Sequence, residues 1–254
     1  MPPSVSMAER TIIVCRDAGE LNQKAAQRFI AAADRAAKST GRFAVVLSGG
    51  STPKGLYALL ATPPFAERIP WPRVHLFWGD ERCVPPDHAD SNYRMAHEVL
   101  ISRVALPAAN VHRLRGEIEP QVAAAEYEQL LKEFFSLSKG APPRFDLILL
   151  GLGDDGHTAS LFPGSVALKE TQRLVVANFV DKLSAHRLTL TLPVLNHGAE
   201  VAFLVAGHAK AAVVNAILGT KTAAPILPAA QVRPVRGRLV WLVTQDAAVH
   251  LAAP

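Results

Sequence analysis

The segment that decides the fold is FDLILLGLGDDGHTASLFPG, residues 145–164. It opens with an apolar run typical of a buried strand and continues directly into glycines, two carboxylates and a histidine. Gly151, Gly153 and Gly156 reproduce the spacing G-x-G-x-x-G, which after a strand is the fingerprint of a dinucleotide-binding turn. Two interpretations of the segment are therefore possible, namely a dinucleotide-binding turn or a tight glycine-containing loop with another function.

The residues that follow the glycines argue against a nucleotide. A dinucleotide turn leads into a long crossover helix, but only HTASLF separates Gly156 from the helix-breaking pair Pro163 and Gly164. Asp154 and Asp155 would also place negative charge where a pyrophosphate has to bind. We interpret the glycine spacing as a coincidence and the segment as a tight loop at a sheet edge.

Strand-like apolar runs alternate with helical stretches along the chain, at residues 11–15, 43–47, 74–78, 145–150, 174–180, 187–192, 200–205 and 238–244. This alternation predicts an α/β fold with a mainly parallel open sheet flanked by helices on both faces. Apolar residues on one face between 123 and 134 predict a helix that covers the sheet. We expect residues 1–8 to be a flexible N-terminus and residues 9–254 to form a single α/β domain, given the length of 254 residues.

Composition excludes several classes of function. The formal net charge is +5, but the basic residues are scattered without an aromatic-basic cluster, which favours a small anionic substrate over nucleic acid. No apolar run approaches the ~20 residues of a membrane helix, and the N-terminus lacks the apolar core of a signal peptide, so a cytoplasmic protein is expected. Cys15 and Cys83 lack metal-ligand spacing, so we expect reduced thiols and no metal site.

The stretch LSGGSTPKGLYALL, residues 47–60, predicts a strand that turns through Ser48, Gly49 and Gly50 into a helix. Thr52 is expected to be the N-cap and Pro53 the first helical residue. Glycines let the backbone approach a ligand, and the free N–H groups of a helix start commonly bind phosphate. A plain, well-capped strand-to-helix turn explains the stretch equally well.

Charged side chains follow the predicted strand VHLFW at residues 74–78. Asp80 and Arg82 are two residues apart after its end, where open α/β sheets bind their ligands, so both side chains are candidates for one cleft. A solvated charge cluster is the alternative. Ser91 and Asn92 follow at a predicted helix start, where an N-cap role comes first and a ligand contact second.

His157, in the glycine-shaped loop beside carboxylates, suits a general base because imidazole titrates near neutrality. A lone histidine is more often structural, but the special backbone of this loop favours catalysis. Arg187 begins a predicted strand, and Lys210 follows Gly207 at a predicted helix start. A lysine there opposes the helix dipole unless an anion lies nearby, although both cationic side chains are equally well explained as extending into solvent.

Taken together, these segments resemble a known family. LSGGSTPKGLY, FWGDERCVP, DSNYRMAHEVL, FDLILLGLGDDGHTASLFPGS, RLTLTLPVLN and GHAKA occur in the order found in the family of 6-phosphogluconolactonases and glucosamine-6-phosphate deaminases, and they are most similar to its lactonase branch. The resemblance implies a Rossmann-like fold of the sugar-phosphate isomerase type, with no required metal or organic cofactor. It also implies hydrolysis of 6-phosphoglucono-1,5-lactone, a small phosphorylated sugar lactone, in the oxidative pentose phosphate pathway.

The resemblance also implies roles for individual residues. His157 would activate the attacking water, Asp155 falls on a recurrent acid of the family, and Asp80 and Arg82 would line the reacting end of the site. Asp154 occupies a variable position and is given no role. The phosphate and neighbouring hydroxyls would be held by Ser48, Gly49, Gly50, Ser51, Arg187 and Lys210.

Three other functions remain open at this point. The first is glucosamine-6-phosphate isomerisation and deamination, which uses a related loop and histidine. The second is a non-catalytic sugar-phosphate sensor, although no DNA-binding segment is visible before Thr11. A dinucleotide oxidoreductase is third. The expected assembly is a monomer or a small homo-oligomer.

Overall fold

The computed structural model describes residues 10–219 and 227–251 of the chain, and within those residues no helix has the length and apolarity to cross a membrane. The strands are β1 (Arg10–Cys15), β2 (Phe43–Leu47), β3 (Val74–Trp78), β4 (Asp80–Arg82), β5 (Val111–His112), β6 (Leu147–Leu150), β7 (Val175–Val180), β8 (Ala185–Leu190), β9 (Glu200–Val205) and β10 (Arg238–Thr244). The α-helices are α1 (Ala18–Ser39), α2 (Ser51–Leu60), α3 (Asn92–Val99), α4 (Pro120–Phe134), α5 (Leu192–Leu195) and α6 (Ala211–Leu218).

Seven strands form one parallel sheet in the order β1-β10-β9-β6-β2-β3-β5. Strands β2, β6 and β9 are buried at every position, so the sheet is covered on both faces, as parallel sheets require. Stacked rings of Phe203 and Trp241, with centroids 3.9 Å apart, join β9 to β10. The prediction of an α/β fold around an open, mainly parallel sheet is confirmed.

A second, smaller sheet was not expected. Strands β4, β8 and β7 pair antiparallel in that order, so residues 174–180 and 187–192 do not continue the parallel pattern predicted for them. The reason is the connection, because a short turn around Asp181–Leu183 joins β7 to β8 and is too short for the crossover that parallel pairing needs. Arg187 is therefore not the first residue of its strand but lies within β8.

Helices α2 and α4 differ in how well the sequence predicted where they begin. Helix α4 covers the predicted residues 123–134, and the hydroxyl of its buried Tyr127 accepts a hydrogen bond of 2.9 Å from the backbone N–H of Trp78 in β3. Helix α2 begins at Ser51, so the predictions of Thr52 as N-cap and Pro53 as first helical residue are both wrong. The N-cap is Gly50, whose φ of 106° only glycine adopts readily and whose lack of a side chain leaves the helix start uncapped.

Candidate active site

A cleft of about 260 Å³ opens at the carboxyl ends of the parallel strands, where open α/β sheets bind ligands. The glycine loop after β2, the glycine loop after β6 and strand β4 form most of its wall. Among the residues predicted for the site, the cleft is lined by Ser48, Gly49, Gly50, Ser51, Asp80, Arg82, His157 and Lys210. Asp155 and Arg187 do not line it, but each lies against a residue that does.

The loop after β6 bends sharply to present His157. The N–H of Gly153 donates to the carbonyl oxygen of His157 at 2.9 Å, and Gly156 turns the chain with a φ of 80°. A Cβ on Gly153 would lie 1.9 Å from His157 Nδ1, so only glycine admits the ring. No helix follows within residues 151–165, which removes the geometry of a dinucleotide turn.

Asp155 orients the imidazole. Its Oδ1 lies 2.6 Å from His157 Nδ1 and also accepts the backbone N–H of His157 at 3.1 Å. A carboxylate at this position favours the proton on Nδ1, which leaves Nε2 as the acceptor. The ring of Phe162 stacks on the imidazole with centroids 4.2 Å apart and fixes its plane.

The carboxyl group of Asp155 is held in its charged form. Partial burial raises its pKa, but hydrogen bonds from Lys182 and His157 outweigh burial and hold the pKa well below the usual range. Lys182 reaches Asp155 Oδ2 from the turn between β7 and β8. Asp155 is therefore an anion at any pH near neutrality and can stabilise an imidazolium.

Strand β4 places alternate side chains in opposite directions. Asp80 and Arg82 line the cleft, as the two-residue spacing predicts, while Glu81 between them is buried on the other side. Asp80 is held from two directions, because Ser160 Oγ donates to its Oδ2 at 2.8 Å and Asn92 Nδ2 lies 3.4 Å from its Oδ1 and 3.0 Å from its backbone oxygen. The carboxylate of Asp80 is thus fixed at the cleft wall.

Glu81 attaches helix α3 to the site. Its carboxylate accepts the backbone N–H groups of Asn92 and Tyr93, each at 2.8 Å, while desolvation by burial raises its pKa. Ser91 Oγ accepts the N–H of Arg94 at 3.1 Å, so the prediction of an N-cap at Ser91 is confirmed. Asn92 lines the cleft and packs directly against Gly49. A Cβ at position 49 would lie only 1.9 Å from Asn92 Oδ1, so the side chain of Asn92 requires glycine there.

Two arginines lie opposite one another across the small sheet. Arg82 in β4 pairs with Arg187 in β8, and Arg82 Nη1 donates to the carbonyl oxygen of Asp90 at 2.5 Å. Desolvation, followed by the charge of Arg82, lowers the pKa of Arg187. Like charges directly opposite one another are unfavourable, so this pair favours an anion beside it.

Lys210 reaches the cleft from the end of a short 3₁₀ turn, immediately before α6. Its Nζ lies 2.5 Å from Asp154 Oδ1. The carboxylate of Asp154, to which the sequence analysis gave no role, is therefore the anion that offsets a lysine at a helix start. Ser48 also lines the cleft, and its buried Oγ has no hydrogen-bond partner, although its backbone N–H and carbonyl oxygen both bind the hydroxyl of Tyr57.

Sequence reasoning missed three contributors to this site. Ser160 positions Asp80, Lys182 contacts Asp155, and Phe162 stacks on His157. Ser160 and Phe162 lie inside the quoted segment HTASLFPGS, so that motif held the signal, whereas Lys182 lies in a turn without any motif. Among residues 10–219 and 227–251, no group of three or more His, Cys, Asp or Glu side chains is arranged to hold a metal ion.

A fixed imidazole, an adjacent carboxylate, several cations and a glycine loop at one sheet edge suit an α/β enzyme that acts on a small anionic molecule. Comparison with known proteins narrows this class. The family model described as "Glucosamine-6-phosphate isomerases/6-phosphogluconolactonase" matches residues 16–241, and the chain belongs to that family.

Individual relatives support the assignment. The chain is similar to the 6-phosphogluconolactonase of Nostoc sp., with 39% identity over 96% of this chain and 99% of the relative. It is also similar to the 6-phosphogluconolactonase of Synechocystis sp., with 43% identity over 85% of this chain and 88% of the relative. The solved structure of 6-phosphogluconolactonase from Trypanosoma cruzi superimposes with a TM-score of 0.85 at 30% identity and covers 98% of this chain and 99% of that one.

Proposed function

We propose that this chain is a 6-phosphogluconolactonase, which hydrolyses 6-phosphoglucono-1,5-lactone to 6-phosphogluconate, with His157 as the general base. The observation that carries the proposal is the 2.6 Å contact between His157 Nδ1 and Asp155 Oδ1 beside a cleft lined by cations. The names of the relatives supply the substrate, and the geometry supplies a mechanism for its hydrolysis.

The first step is attack by water. With Nδ1 bound to Asp155, Nε2 of His157 takes a proton from water as the water oxygen forms a bond to C1 of the lactone. Charge develops on the former carbonyl oxygen, and the guanidinium of Arg82 is the cation we assign to stabilise it. A lactone is an activated ester, so one base worth about 10²–10⁴-fold and one nearby cation are a sufficient catalytic set.

The second step opens the ring. The bond from C1 to the ring oxygen breaks, and the imidazolium returns its proton to that oxygen, which becomes a hydroxyl group. Asp155 stays ionised throughout and stabilises the imidazolium. A serine nucleophile is not required, since Ser48 Oγ has no base within hydrogen-bond distance to activate it.

The phosphate end provides orientation. We assign it to Lys210 and to the loop at residues 48–51, where the uncapped start of α2 offers free N–H groups and Ser48 offers an unused hydroxyl. Arg187 lies outside the cleft wall, so its contribution is the positive field that it shares with Arg82. Binding energy at the phosphate is then used to place C1 near His157.

The test is a rate measurement with lactone generated freshly from glucose 6-phosphate, at slightly acidic pH where spontaneous hydrolysis is slow. The wild type is expected to accelerate lactone loss, and His157→Gln is expected to lower kcat by about 10²–10⁴-fold with little change in KM. Glucono-1,5-lactone, which lacks the phosphate, serves as the matched substrate and should show a much lower kcat/KM. Equal rates for wild type and His157→Gln, after subtraction of the blank, would refute the role of the base.

The product of the reaction distinguishes a lactonase from the related deaminase. Deamination of glucosamine 6-phosphate releases ammonia and requires protons to be shuttled between two carbons. The same preparation should release no ammonia from that substrate, and ammonia release without lactone hydrolysis would replace the proposed function with the deaminase.

A further inference from the structure

We propose that Lys182 is a positioning residue of the reaction, which fixes the Asp155 carboxylate and offsets its negative charge beside the His157 base. The inference rests on the proposed function for its kinetic consequence. It concerns a side chain outside the cleft wall, in the turn Asp181–Leu183 between β7 and β8.

Lys182 contacts both of the groups that hold the imidazole. Its Nζ donates to Asp155 Oδ2, while Oδ1 of the same carboxylate binds His157. Its Nζ also lies 4.7 Å from the centroid of the Phe162 ring, which stacks on the imidazole. Two independent contacts therefore connect one lysine to the two neighbours of the base.

The carboxylate of Asp155 needs a second partner to stay in place. Without Lys182, the carboxylate would be held only through Oδ1, by the ring and the backbone N–H of His157, and it could rotate about its Cβ–Cγ bond to present the other oxygen. With Oδ2 held by Lys182, rotation is blocked and the imidazole keeps one plane and one tautomer. The turn that carries Lys182 is itself fixed, because Ser184 at its end adopts a left-handed φ of 46° and its N–H donates to the carbonyl oxygen of Asp181 at 3.0 Å.

The positive charge has an electrostatic effect as well. An ammonium group beside the Asp155–His157 pair offsets part of the negative charge of the carboxylate, so its removal is expected to favour protonation of the imidazole. The other charged groups around the imidazole come from different elements and are unchanged by substitution of Lys182. They are Asp80 and Arg82 from β4 and Lys210 before α6, which line the same cleft, and Asp154 from the loop of His157 itself, which binds Lys210.

If Lys182 served only to stabilise the fold, its removal would lower the melting temperature. The side chain of Lys182 is 50% exposed, and an ion pair at such a site contributes little to folding. Removal of the amine should therefore leave the melting temperature almost unchanged. An effect on the base with no effect on stability would identify a positioning residue.

The experiment compares the pH profiles of kcat/KM for wild type, Lys182→Met and Lys182→Arg. In Lys182→Met the acid limb is expected to move to higher pH by about half a unit to one unit, and kcat is expected to fall about 3–30-fold. Lys182→Arg keeps the charge and should keep the wild-type limb. Lys139→Met is the matched control, because this exposed lysine precedes β6 whereas His157 lies beyond the other end of that strand.

A second readout does not need the substrate. The pH titration of the His157 ring Cε1–H resonance should move in the same direction in Lys182→Met and stay in place in Lys139→Met. Unchanged titration and an unchanged acid limb would overturn the inference. If the titration moves but no variant hydrolyses the lactone, the proposed function fails while the link between Lys182 and the base stands.

Discussion

At the scale of single residues, two adjacent aspartates have different partners. Asp155 contacts the base and Lys182, and Asp154 contacts Lys210, so two adjacent residues of one loop bind two different lysines. Only Asp155 was singled out from sequence, because it falls on a recurrent acid whereas Asp154 does not. No sequence motif indicates that Asp154 forms an ion pair with Lys210, which lies 56 positions further along the chain.

Under the proposed assignment of Lys210 to the substrate phosphate, Asp154 and the phosphate compete for the same cation. The side chain of Asp154 is 75% exposed and that of Lys210 is 25% exposed, so the carboxylate can leave while the lysine stays at the cleft. We expect Asp154→Asn to lower KM for the lactone by about 2–5-fold, since an exposed ion pair of this kind contributes about 0.2–1 kcal/mol. The effect should appear in KM rather than in kcat.

The matched control for this substitution is Asp34→Asn, which removes an exposed carboxylate from α1. It should leave KM unchanged at constant ionic strength. A higher KM in Asp154→Asn would show instead that Asp154 holds Lys210 in the position that the phosphate requires.

At the scale of elements, local patterns predicted every strand of the main sheet except β5, and also the runs of β7 and β8. They did not predict β4 or the antiparallel pairing of the small sheet. Apolar runs were sufficient for β2, β3 and β9, because each is buried and carries its signal within a few residues. Strand β4 has only three residues, DER, and exists because it pairs with β8, which lies more than a hundred positions away. No pattern within a few residues of β4 reveals a pairing partner so far along the chain.

The edge strand β5 brings a pH-sensitive contact to the sheet. His112 in β5 lies with Nε2 3.2 Å from Nδ1 of His75 in β3, and its ring stacks on Phe77. Burial, and then the neighbouring His75, lower the pKa of His112 to about 4. Burial also lowers the pKa of His75. Both imidazoles are therefore neutral in the folded protein near pH 7.

Acid should weaken the protein through this pair. The pKa of His112 is lower in the folded state than in the unfolded chain, where it is about 6.5. The neutral His112 ring therefore makes its full contribution to the free energy of unfolding above pH 6.5. This contribution is lost as the pH falls from 6.5 towards 4. We expect a loss of roughly 1–2 kcal/mol in unfolding free energy from this group between pH 7 and pH 4.5, after allowance for solvent screening.

Urea unfolding at the two pH values measures this term. His112→Phe keeps an aromatic ring against Phe77 but cannot be protonated, so its stability should fall less between pH 7 and pH 4.5 than that of the wild type. His88→Asn removes an exposed histidine and should behave as the wild type does. Equal pH dependence in His112→Phe and wild type would show that the pair does not couple protonation to folding.

At the scale of the whole molecule, the site lies where the main sheet meets the small sheet. Parallel strands end at one edge, which is why residues from motifs far apart in sequence, such as Ser48 and His157, were expected to share a site and do line one cleft. The contribution of the small sheet was not predicted, although β4 supplies Asp80 and Arg82 and the β7–β8 turn supplies Lys182. A ligand in the cleft therefore contacts both sheets.

Binding of the product should consequently stabilise the whole fold. A ligand that binds only the folded state at 100 times its Kd adds about 2.7 kcal/mol, which corresponds to about 5–10 °C in melting temperature for a chain of this size. We expect 6-phosphogluconate to produce this shift in the wild type, and gluconate, which lacks the phosphate, to produce a much smaller one at the same concentration. Lys210→Ala should reduce the shift from 6-phosphogluconate, because it removes the cation at the phosphate end of the cleft. Equal shifts from the two ligands would mean that the phosphate makes no contact that favours the folded state, and the assignment of Lys210 and the loop at residues 48–51 would then be wrong.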